Sequence, residues 1–108
     1  MALQVAGLSL EAIEALRPLV VRVQRRDRSL ADQLRRAATS VALNIAEADA
    51  SDPGNQRARF HTAAGSAAES LTALKVAVAW GYLAAEDTAA SSSLLRRICA
   101  ILWKLSQR

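Results

Sequence analysis

QLRRAATSVALNIAEA, residues 33 to 48, has the periodicity of a helix with one buried side. With Leu30 just upstream, its apolar residues Leu34, Ala37, Val41, Ile45 and Ala48 recur at steps of four and three, which holds them on one face of an α-helix. A half-buried strand would alternate at every second residue instead. At about 100° per residue, Gln33, Ser40, Asn44 and Glu47 fall together along one edge of that face, a structural polar seam beside the apolar stripe. Buried polar groups without partners cost about 1 to 3 kcal/mol each, so the seam needs partners on a neighbouring helix or in water.

The flanking residues supply the punctuation. Ser29 followed by Asp32 has the spacing of a capping box, with Asp in place of the usual Glu, and is expected to open this helix. Before it, a first helix is expected from an N-cap at Ser9, with Glu11 in its first turn, to about Gln24 or Arg25. Pro18 removes a backbone hydrogen bond inside it, so a kink or a split into two pieces is expected. After it, DASDPGN at residues 49 to 55 breaks the pattern: Asp52 can cap, and Pro53 suits a first helical position.

A third helix repeats the spacing with Phe60, Ala64, Ala67, Leu71, Leu74 and Val78, and stops near Gly81, a residue suited to the left-handed C-terminal position. A fourth follows AAED and carries Leu94, Ile98, Ile101 and Leu105, with Leu95 and Leu102 widening its stripe. Short connections make consecutive helices neighbours, so the expected fold is all-α, an antiparallel up-down-up-down four-helix bundle forming a single domain over residues 1–108.

Composition agrees with helix. The chain is 52% hydrophobic but only 4% aromatic, and its commonest residue, Ala, has the best intrinsic helix propensity. A chain of this size buries roughly two thirds of the surface it exposes when unfolded, enough for one core. The lone Cys99 leaves no internal disulfide, and neither a signal peptide nor an apolar run long enough to span a bilayer stands at the N-terminus. A cytoplasmic protein is expected.

The third helix bears on assembly. Between Phe60 and Ala85 the only charged side chains are Glu69 and Lys75, with His61 partly so. Opposite its stripe lie Ala58, Thr62, Gly65, Glu69, Thr72, Val76 and Trp80, where an outer helix would normally present charge. An alanine-rich solvent face is the plainer alternative, since soluble proteins tolerate exposed apolar surface. Burial on both sides is the sharper one. It makes Thr62, Gly65, Glu69, Thr72 and Val76 an oligomer interface, helped by the flank of helix two and covering roughly 1,000 Å² or more.

QLRRAATSVALNIAEA together with FHTAAGSAAES, residues 60 to 70, resembles bacterial four-helix-bundle proteins related to those encoded in intervening sequences of large-subunit ribosomal RNA genes. More distantly, it is similar to accessory variability determinant proteins of diversity-generating retroelements. The likeness is most specific in SVALNIAE and GSAAE and extends from helix two to AWGYL. It implies a ring-like homo-oligomer, most simply a homopentamer, with no known catalytic site, and nucleic-acid binding as inferred for some relatives. Where the family usually has Gly after the NIAE motif this chain has Ala48, so the helix is expected to run on toward Ala50.

In a hairpin turning near Ser51, simple counting sets Asn44 level with Ala58, and Gln33 and Arg36 level with Glu69 and Ser66. Three pairings follow. Glu47 should meet Arg57 or Arg59, Glu69 should meet Arg35 or Arg36, and Asn44 should bond polar groups at the start of helix three. Solvation of Glu47 and Gln33 is the plain alternative.

Chemistry-bearing residues are sparse. One His and one Cys supply no metal-binding set within a chain, and GSAAES lacks the spacing and lysine of a phosphate-cradling loop. His61 reads as a helix-surface or interface residue and Cys99 as a small packing residue. No cofactor or small-molecule ligand is expected, and the reading is non-enzymatic unless a site forms between subunits.

Arginine is the strongest signal. Arg17, Arg22, Arg25, Arg26, Arg28, Arg35 and Arg36 lie within twenty residues, diluted only by Asp27 and Asp32, in a chain of net charge +4. Helix dipoles and ion pairs account for some such arginines. Yet a ring of five pools five times the charge of one chain, which favours RNA or DNA through phosphate contacts. The expected nucleic-acid-binding residues are Arg22, Arg25, Arg26, Arg28, Arg35 and Arg36. A protein-interaction scaffold with no nucleic-acid role is the competing reading, and no membrane partner is expected.

Overall fold

Four α-helices account for most of the chain: α1 (Ala2–Gln24), α2 (Arg28–Asp49), α3 (Pro53–Ala79) and α4 (Ala89–Ser106), with a 3₁₀ turn over Ala85–Thr88 leading into the last. The structure, a computed structural model, describes the backbone of residues 2–108 and side chains from Gln4 onward, and no strand occurs among the described residues. The molecule is a rod of 42 × 22 × 19 Å.

The caps explain where the helices begin and end. Asp27 opens α2, its Oδ1 accepting the Leu30 N–H at 3.0 Å, so Ser29 lies inside the helix and the expected Ser29–Asp32 box is corrected. Asp27 wins because it is the residue in extended backbone, whereas Asp32 is drawn off by two arginines. Asp52 caps α3 by accepting the Asn55 N–H at 3.0 Å, with Pro53 in the first turn as expected. At its end, Gly81 takes φ +79, the Tyr82 N–H donates to the Ala77 carbonyl at 2.8 Å and the Gly81 N–H to Val78 at 2.9 Å. That is the Schellman arrangement, which satisfies the last carbonyls of the helix. α2 runs to Asp49 with Ala50 at its C-cap, as the Ala48 departure implied.

The first helix is longer than its punctuation implies. It starts at Ala2 and passes through Ser9, whose hydroxyl donates back to the Ala6 carbonyl at 2.7 Å and is buried. A serine satisfied by its own helix has no need to act as a cap. Nor does Pro18 split the helix: it sits on the exposed side, where water can take the carbonyl it leaves free.

Leu30, Leu34, Ala37, Val41, Ile45 and Ala48 are all buried, as the α2 spacing requires. In α3 the buried line is Phe60, Ala63, Ala64, Ala67, Ser70, Ala73, Leu74 and Ala77, so Leu71 and Val78 of the expected stripe sit at its margin, half-buried. In α4, Leu95, Ile98, Leu102 and Leu105 form the centre while Leu94 and Ile101 flank it. Alanine at so many α3 positions lets neighbouring helices approach closely. Pairs across α2 and α3 count up one helix and down the other: Ser40 with Ser66, Asn44 and Glu47 with Arg59, and the Ala48 carbonyl with Gln56. The same holds for α3 and α4, where His61 meets Trp103 and the Ala64 carbonyl meets Cys99.

Candidate nucleic-acid interface

Two turns meet at one end of the rod, the α1–α2 turn around Arg25 to Asp27 and the α3–α4 turn around Gly81 to Asp87. Asp27 joins them. While its Oδ1 caps α2, its Oδ2 accepts the Tyr82 hydroxyl at 3.2 Å, and the Arg26 guanidinium lies 5.6 Å from the centre of the Tyr82 ring. Partial burial and the bond to Asp27 push the Tyr82 phenol above its ordinary pKa, so it stays a neutral donor. Arg22, in the last turn of α1, reaches Asp87 at 3.1 Å.

The six arginines divide by what already holds them. Arg35 and Arg36 both bind Asp32, at 3.0 and 2.9 Å, one and two turns into α2. Arg22 is paired and Arg26 lies over a ring. Arg25 and Arg28 carry no ion pair among the described residues. Arg28 also occupies the first position of α2, the positive end of the helix dipole, where a cation is disfavoured. All six are exposed. This end therefore presents a cationic surface of which only part is neutralised by Asp27, Asp32 and Asp87.

Of the four seam residues, Ser40, Asn44 and Glu47 are bonded into one network. The Ser40 and Ser66 hydroxyls bond at 2.9 Å, and Asn44 Nδ2 donates to the Ser40 carbonyl at 2.9 Å and to its hydroxyl at 3.0 Å. Arg59 donates to Asn44 Oδ1 at 3.5 Å and pairs with Glu47 at 2.8 Å, so Glu47 meets Arg59 as expected and Asn44 reaches the start of α3 through the same side chain. Gln33 is exposed and stands outside this network. Ser66 sits level with Ser40 rather than with Arg36, because α2 runs to Asp49 and moves the hairpin centre beyond Ser51. The expected ion pair from Glu69 to Arg35 or Arg36 is corrected accordingly: Asp32, on the arginines' own helix, holds both.

On the outer side of α3, Thr62, Gly65, Glu69 and Thr72 are exposed on the single chain and Val76 is half-buried. Both threonine hydroxyls are spent within the helix, on the Ala58 and Ala68 carbonyls, at 3.1 Å each. A Cβ at Gly65 would meet no atom within 4 Å. Trp80 closes this face, 67% exposed, and Leu43 on α2 is 58% exposed beside the seam.

Elsewhere, burial pushes the Cys99 thiol above its ordinary pKa, and its Sγ faces the Ala64 carbonyl at 3.5 Å; the thiol is a packing group. His61 is exposed beside Trp103, their ring centres 5.8 Å apart. Among the described residues no three His, Cys, Asp or Glu side chains converge on a metal-sized site, and no helix is long and apolar enough to cross a membrane. Sequence reasoning missed Tyr82, Asp27 and Asp87 as the acceptors and ring that organise the arginine end. The signal was present in the short connections, which in an up-down-up-down bundle would put the α1–α2 and α3–α4 turns at one end.

No curated protein matches the chain. A crystal structure of a protein of unknown function from the S23 ribosomal protein family of Bacteroides thetaiotaomicron superposes with a TM-score of 0.86 at 20% identity, covering 96% of this chain and 99% of that one. It shares the fold. A family model described as 23S rRNA-intervening sequence protein matches residues 3–104.

Proposed function

Because this chain belongs to the 23S rRNA-intervening sequence protein family, we propose that it is a non-enzymatic cytoplasmic protein that binds RNA or DNA through its arginine-rich end. In this reading the helices form an antiparallel up-down-up-down bundle, and bundles join into a ring-like homo-oligomer, a pentamer by the resemblance described above. The observation that carries the binding reading is the position of Arg25 and Arg28, cations without acidic partners among the described residues. They stand beside four further arginines on a surface organised by Asp27 and Tyr82. Phosphate contacts from such a surface are weakly sequence-specific and salt-sensitive.

What supports assembly is Gly65. Glycine inside a helix costs about 1 kcal/mol relative to alanine, and nothing in this chain needs the space it leaves. A second backbone approaching from outside gives that cost a purpose, and the Thr62 and Thr72 hydroxyls on the same face are already satisfied within the helix.

Fluorescence polarisation with a labelled RNA hairpin and a DNA duplex at two salt concentrations tests the binding. The expected result is affinity that falls steeply with salt, by roughly 0.9 log units per log unit of salt for each phosphate contacted on duplex DNA and somewhat less on single strands. Absence of binding at low salt, or binding indifferent to salt, rejects it. Native mass measurement tests the ring separately, a monomer being the result that sinks it.

A further inference from the structure

The cleft between α1 and α2 is floored by apolar side chains: Ile13, Leu16, Val20 and Val21 from α1, and Ala38 from α2. Their spacing keeps the α1 residues on the flank that faces α2, and the cleft is an open groove of about 290 Å³. Arg17 and Gln24 rise along one rim, Arg35 and Thr39 along the other. A second groove of about 420 Å³ shares Val20, Gln24 and Arg35 with the first and adds Arg28, Ser29 and Asp32.

Three arginines thus stand over one continuous cleft against a single carboxylate, Asp32, which Arg35 and Arg36 already hold. Arg17 and Arg28 have no ion-pair partner among the described residues. The floor is open to solvent at Val21, 46% exposed, and about three turns earlier on α1 the apolar surface includes Leu10, 57% exposed. A nucleic-acid phosphate gains nothing from Ile13, Val20 and Val21. A ligand matched to both the floor and the rims must pair an apolar stripe with negative flanks.

We infer that the α1–α2 groove docks an acidic amphipathic helix from a partner protein. Apolar side chains at i, i+3 or i+4 and i+7 enter the floor, and Asp or Glu on the flanks face Arg17 on one rim and Arg35 and Arg28 on the other. From Ile13 to Gln24 the groove runs about 16 Å at 1.5 Å per residue, enough for roughly three turns of such a helix. The groove shares Arg28 and Arg35 with the nucleic-acid surface but goes beyond it in Arg17 and the apolar floor, and Arg25 and Arg26 line neither groove.

The test uses the whole chain and three labelled synthetic peptides of about four turns: leucines at helical spacing flanked by glutamates, the same peptide with lysines for glutamates, and a scramble of the acidic one. Polarisation should show saturable binding of the acidic amphipathic peptide alone. Arg17→Glu with Arg35→Glu, both at exposed positions, should weaken that peptide at least about tenfold and confer binding on the lysine peptide. Val21→Glu should weaken the acidic peptide by itself, and Arg25→Gln with Arg26→Gln should leave it unchanged even where nucleic-acid binding falls. Equal binding of the scramble, no binding of the acidic peptide, or a fall in native mass with Val21→Glu would overturn the inference, the last by giving the groove to a second copy.

Discussion

Asp27 is the residue on which most depends at the arginine end, since one carboxylate caps α2 and holds Tyr82. Asp27→Ala removes both, so unfolding in denaturant should show a loss of about 1 to 2 kcal/mol. Tyr82→Phe should lose less, about 0.5 to 1 kcal/mol, and the smaller figure identifies the cap as the larger contribution. At the opposite end, the Asp52 carboxyl is held below the usual carboxylate range, chiefly by the backbone N–H of Asn55 and then by its side chain. A lowered folded value means that its contribution is present above the unfolded carboxylate range and lost as pH falls through the folded value. Asp52→Asn keeps a capping oxygen but cannot titrate, so its stability should fall less than the parent's below about pH 4, a difference that melting curves across that range will read. Asp52 was legible in advance because Pro53 follows it. Asp27 was not, because Ser29 and Asp32 offered a better-spaced motif, which fails in the fold because Ser29 lies inside the helix and Asp32 is held by Arg35 and Arg36.

Among the elements, α2 and α3 were readable and α1 was not. The α2 stripe is strict in its spacing, and every one of its six members is buried. α3 is alanine on several sides, so its stripe could be placed only to within a turn: Ser70 and Ala77 took the burial assigned to Leu71 and Val78. Small residues give periodicity little contrast, whereas the ladder with α2 was offset because the hairpin centre lies beyond Ser51. In α1, Ser9 and Pro18 look like boundaries by residue type, yet the helix runs through both, because a serine can bond its own helix and a proline can face water. The open side of α3 gives a sharp expectation. Gly65→Ala should raise helix stability by about 1 kcal/mol in a lone bundle, while Gly65→Phe, at an exposed position, should leave the monomer folded and break any assembly through that face. Circular dichroism alongside native mass separates the two effects.

For the molecule as a whole, the six arginines were legible as a cluster, but their inequality was not, since it depends on which acids fold beside them. Replacing Arg25 and Arg28 with Gln should weaken RNA binding across sequences and reduce the salt slope by about two; Arg35 and Arg36, already shared with Asp32, should matter less. The hydrogen bond from Tyr82 to Asp27 has one more consequence. It ties two connections far apart in the chain, so amide hydrogen exchange there should behave as one cooperative unit, residues 25 to 27 and 80 to 83 gaining deuterium together. The connection around Ser51 and Asp52 is held by its own local bonds, including one from Gln56 of α3 to the Ala48 carbonyl of α2, and should exchange on its own clock. A polyanion would then meet a surface that is already stiff, and lose little of its binding to ordering it.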